Sequence, residues 1–71
     1  ELIINITNLD EPIKKKLRGA IKYFNGEMNN IAVEVQDGEN ILKCGAIYLT
    51  EAIYEVFQDI VGKENIELKE I

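Results

Sequence analysis

The period of the apolar residues switches along this chain between two and 3.6, and the order of the switches constrains the fold more than any other feature. Leu2, Ile4 and Ile6 alternate with polar or opposite-facing positions over Leu2–Thr7, as on a strand. Ile13, Leu17, Ala20, Ile21 and Phe24 then follow the helical spacing and form one apolar stripe. Ile31, Val33 and Val35 alternate with Ala32, Glu34 and Gln36, and Ile41 to Tyr48 reads as the returning strand. A second helical stripe holds Ile53, Val56, Phe57 and Ile60, and Ile66 and Leu68 alternate with Glu67 and Lys69 in a last strand.

Turn and cap residues fall between these segments. Asn8-Leu9-Asp10-Glu11-Pro12 marks a helix start, with an Asx or acidic cap and a Pro in the first turn. Asn25-Gly26 reads as a left-handed stop, and Asp37-Gly38 as a tight hairpin turn. Thr50 caps the second helix, Leu49 and Tyr54 are spaced as a hydrophobic staple, and Gly62 ends it. Gly45, inside a strand, predicts a bulge or a close backbone approach. The resulting order is βαββαβ. Right-handed crossovers would set both helices on one face of the sheet, which predicts a ferredoxin-like α+β fold with a four-stranded antiparallel sheet. The expected core holds Ile13, Leu17, Phe24, Ile53, Phe57 and Ile60. That topology serves many functions and does not select among them.

Seventy-one residues allow one domain, spanning 1–71, with a thin stability margin. The first residue is Glu1, with no initiator Met, which suggests a segment cut from a larger chain. Cys44 is the only cysteine, so no internal disulfide forms, and a reducing, cytoplasmic setting is expected. No apolar run approaches the length of a membrane span, and no signal peptide is visible.

Residues able to carry chemistry are scarce. There is no His, and Cys44 has no Cys or His to share a metal site, so no cofactor or metal is expected in this domain. A small apolar role suits Cys44 better than a thiolate activated by Lys43. The carboxylates are scattered in solvent-facing phases, which gives acid–base catalysis no support. None of the glycines opens a phosphate-cradling loop. The returning strand offers only Tyr48 where an RNA-recognition module needs several aromatics.

Charge placement is the informative feature. Lys15, Arg18 and Lys22 form the outer stripe of the first helix, flanked by Lys14 and Lys16. These are five of the eight basic residues, so the rest of the chain sets three basic residues against thirteen acidic ones, a balance of −10. The second helix turns Glu51, Glu55 and Asp59 outward. Two solvated faces are one reading, and docking of a complementary partner through these six residues is the other. The net charge of −5 argues against nucleic-acid binding.

Two stretches carry a family resemblance. Lys16-Leu17-Arg18-Gly19-Ala20-Ile21-Lys22-Tyr23-Phe24-Asn25-Gly26 precedes Asn29-Asn30-Ile31-Ala32-Val33. Cys44-Gly45-Ala46-Ile47-Tyr48-Leu49-Thr50 leads into a helix ending Ile60-Val61-Gly62-Lys63-Glu64-Asn65-Ile66. This spacing of apolar residues and glycines resembles the C-terminal end of the alpha (polymerase) subunit of bacterial DNA polymerase III, of the clostridial or related type. Met28-Asn29-Asn30 stands where many members place Pro. The resemblance implies a parent chain that is a DNA-directed DNA polymerase, with its catalytic carboxylates far upstream of these residues. It further implies a non-catalytic accessory role in replication, with other domains of the polymerase or the clamp-loader tau subunit as partners. The alternative is a small-ligand-binding regulatory domain of ferredoxin-like fold.

Overall fold

The computed structural model describes residues 1–26 and 28–69. Strand β1 (Leu2–Asn5) leads into helix α1 (Glu11–Phe24), followed by β2 (Ile31–Asp37) and β3 (Asn40–Ile47). Helix α2 (Glu51–Val61), a 3-10 turn over Lys63–Asn65 and β4 (Ile66–Leu68) complete the order. The fold is therefore α+β, and the element order is the one that the apolar periods predict.

The sheet is mixed, with strand order β3-β2-β1-β4. β1 pairs in parallel with β2, placing Leu2 opposite Val33 and Ile4 opposite Val35. The other two pairings, β1 with β4 and β2 with β3, are antiparallel. This corrects the expected four-stranded antiparallel arrangement. A split βαβ unit leaves a strand's width between β1 and β2, whereas here they are direct neighbours.

The physical reason lies in the two hairpin strands. β2 places buried Val33 and Val35 on one face and half-buried Glu34 and Gln36 on the other, as suits a strand with neighbours on both sides. β3 contains Gly45 at φ 81°, beside a register shift between Ala32 and Glu34 of β2. A bulged strand pairs poorly on two sides and is better tolerated at an edge. The bulge foreseen at Gly45 is present.

Both helices cover one face of this sheet. Leu2, Ile4, Val33, Val35 and Ile47 point into the core, and Leu17 and Ile21 of α1 meet Phe57 and Val61 of α2 above them. The Phe24 and Phe57 rings join the two helices, with centroids 5.8 Å apart. No polar or charged side chain is buried among the described residues. Of the expected core, Leu17 and Phe57 are fully buried, whereas Ile13, Phe24, Ile53 and Ile60 are half-buried. Val56 is 41% exposed, and Val61 takes the buried place one turn after Phe57.

Several caps differ from expectation. Asp10 stands at the N-cap of α1 with extended backbone but makes no side-chain capping bond. Asn25 ends that helix in extended rather than left-handed conformation. The chain is turned instead by Asn29, whose Oδ1 accepts from the Gly26 N–H at 2.8 Å. Thr50 caps α2 as predicted, with Oγ1 accepting from the Ile53 N–H at 3.2 Å, and Gly62 at φ 91° ends it. The hairpin turn is centred on Gly38-Glu39, one residue later than Asp37-Gly38. Only Gly38, at φ 64°, has a positive φ there, which fits a II′ turn rather than I′.

Candidate interaction surfaces

Burial of Leu17 and Ile21 fixes the rotation of α1, so Lys15, Arg18 and Lys22 all face solvent. The basic stripe is partly neutralised close to home. Arg18 lies 3.8 Å from Glu11 on the same helix, and Lys14 reaches Asp37 of the hairpin at 3.6 Å. Tyr23, 82% exposed, packs edge-on against Phe24 at the end of this face. Exposed Tyr48 lies close by, because its backbone N–H donates to the Phe24 carbonyl at 3.2 Å.

On α2, burial of Phe57 and Val61 turns Glu51, Glu55 and Asp59 outward. Glu51 sits in the first turn, where the helix dipole favours an anion, but no basic residue offsets the last turn. The second helix thus presents an acidic face. The structure gathers the three basic candidates on one helix and the three acidic ones on its neighbour. Among the described residues no ion pair joins the two sets.

The sheet face away from the helices carries the tightest ion pair. Lys43 Nζ lies 2.7 Å from Glu34 Oε1, directly across the β2–β3 pairing, and 3.5 Å from Glu1. The hydrogen bond from Lys43 holds the Glu34 carboxyl below its ordinary range, and the same contact raises the Lys43 ammonium. Lys43 is therefore committed to carboxylates and cannot activate its neighbour Cys44, which points to the helix side. Burial pushes the Cys44 thiol up, away from thiolate character.

A shallow groove of about 130 Å³ runs between α1 and the outer strand β3, lined by Leu17, Val35, Leu42 and Cys44 together with the charged Lys14 and Arg18. Leu42 and Cys44, the helix-side residues of β3 nearest the hairpin turn, are only partly covered there. Leu42 is 49% exposed there, and Ile41 is 61% exposed on the opposite face. Sequence reasoning missed this feature, because an Ile-Leu pair in a strand gives no sign of whether another strand will lie outside it.

Among the described residues no group of three His, Cys, Asp or Glu side chains gathers to hold a metal ion. No helix among them is long and apolar enough to cross a membrane. No protein-family model, no curated protein and no solved structure matches this chain.

Proposed function

We propose that this chain is a non-catalytic protein-interaction module, acting in the cytoplasm as the C-terminal accessory domain of a replicative DNA polymerase alpha subunit. The observation that supports interaction is the separation of charge onto adjacent helix faces: Lys15, Arg18 and Lys22 on α1, Glu51, Glu55 and Asp59 on α2. Exposed charges contribute about 0–1 kcal/mol per pair to folding. Paired with a complementary surface, the same charges steer encounter and fix register. The polymerase context rests on the resemblance of the Lys16–Gly26 and Cys44–Ile66 stretches. We read the fold as a ferredoxin-like variant in which β2, rather than β3, adjoins β1. The regulatory-domain alternative needs an enclosed site of about 300 Å³ or more; a hollow beside Leu49, Tyr54 and Leu68 has that volume but lies open at the surface, and the groove beside β3 holds about 130 Å³.

The test is a binding titration of this chain against the rest of a polymerase alpha subunit and, separately, against the clamp-loader tau subunit. Reversing Lys15, Arg18 and Lys22 to Glu, or Glu51, Glu55 and Asp59 to Lys, should weaken binding to one of them about tenfold or more, with a steeper loss at low salt. If both triple variants bind as the natural chain does, or the natural chain binds neither target, the proposal is wrong.

A further inference from the structure

We propose that the outer edge of β3 pairs with the same edge of a second copy of this chain, antiparallel about a two-fold axis at Leu42, so that two four-stranded sheets become one of eight. β3 has β2 as its only neighbour in the sheet, and none of the described strands lies outside it. Its backbone fixes what can bind there. A two-residue hairpin turn makes the flanking pair, Asp37 and Asn40, a hydrogen-bonded one, and hydrogen-bonded and open pairs then alternate. Leu42 therefore spends its N–H and C=O on Val35, whereas Ile41 and Lys43 turn theirs outward, where an added strand would bond them.

The geometry points to a second copy as that strand. The turn at Gly38 and the bulge at Gly45 bound the regular stretch of β3, Asn40 to Lys43, and its two outward-bonding residues, Ile41 and Lys43, are centred on Leu42. A two-fold axis there sets Ile41 opposite Lys43 of the second copy and Lys43 opposite its Ile41. Every outward N–H and C=O of the stretch then finds a partner. Leu42 meets Leu42 of the second copy at the lip of the groove, covering both.

Charge permits this approach. A lysine in an edge strand ordinarily guards it against self-pairing. Here Lys43 is drawn inward over the sheet face by Glu34 and Glu1, and it is the only charged residue between Asn40 and Cys44. The contact is isologous, as in most closed dimers, and of the six charged helix residues named above only Arg18 lines the groove that it covers.

Sedimentation equilibrium of the 71-residue chain over micromolar to millimolar concentrations should show a monomer–dimer equilibrium. Leu42→Asp and, at the already exposed neighbouring position, Ile41→Asp should each weaken it about tenfold or more, with circular dichroism unchanged. In a Cys44→Ser background, Leu42→Cys should form an intermolecular disulfide in oxidised glutathione. Facing open-pair residues have Cα atoms about 4.5 Å apart, within the roughly 4.4–6.8 Å that a disulfide spans. Val56→Cys in the same background, on the exposed side of α2, should cross-link far more slowly. A chain monomeric throughout, a dimer unmoved by both folded Asp variants, or Leu42→Cys cross-linking no faster than Val56→Cys would each overturn the proposal.

Discussion

Gly19 lies on the solvent side of α1, and a Cβ built there meets no atom within 4 Å. Its backbone freedom does nothing for the folded state and adds entropy to the unfolded chain. Gly19→Ala should therefore raise stability by about 0.5–1 kcal/mol, read from the midpoint of urea unfolding. Glu34 supports a pH prediction. Its carboxyl is depressed by the bond from Lys43, so this contribution is present above its ordinary value of 4.5 and fades as pH falls through the lower folded value. Lys43 is raised, so its share is present below 10.5 and fades as pH rises through the higher folded value. Glu34→Gln should lower the melting temperature near neutral pH and flatten its fall in acid, as followed by thermal melts across pH; an unchanged acid limb would count against the pairing. Local bonds such as the Thr50 cap were legible because donor and acceptor are three residues apart. Asn30 was not. Its side chain accepts from the Leu49 N–H at 2.8 Å and donates to the Leu49 carbonyl at 3.1 Å, nineteen residues away, where no local spacing betrays it.

Among the elements, type and order could be read from the apolar periods, since each helix and strand must bury one face. Neighbours in the sheet could not. Leu2, Ile4, Val33 and Val35 would present the same alternation in either strand order, and a pattern of period two says which side a residue faces but not which strand lies beside it. The burial of Val61 in place of Val56 has a similar origin, because the stripe on α2 is wide enough to permit two rotations and packing against Phe24 and the sheet selects one. Gly45 was the one residue that hinted at the hierarchy of strands, since a bulge belongs at an edge. At φ 81° it holds a conformation that L side chains rarely adopt. Gly45→Ala should cost about 1–3 kcal/mol, the opposite sign to Gly19→Ala in the same assay. Equal effects at the two glycines would show that the bulge is not retained in solution.

Over the whole molecule, the five basic residues of α1 are set against a remainder of −10. Arg18 and Lys14 are already partly occupied by Glu11 and Asp37, which leaves Lys15, Lys16 and Lys22 as the readiest phosphate contacts. Strong electrostatic binders neutralise about six to ten phosphates. Labelled single-stranded or duplex DNA should therefore bind weakly or not at all near physiological salt. Micromolar affinity lost on reversing Lys15, Arg18 and Lys22 would instead assign α1 to DNA. The ends of the described chain meet: the Glu1 amino group donates to the Lys69 carbonyl at 2.7 Å, and the Lys69 N–H donates to the Glu1 carbonyl at 2.8 Å. β1 and β4 run antiparallel from that point, with Leu2 opposite Leu68 and Ile4 opposite Ile66. Tension applied at the two ends would load this short ladder as a zipper, rung after rung, and not in shear across all rungs at once. β4 would peel away first, at low force, while β1 stayed paired with β2, so under load the domain would yield from its ends inward.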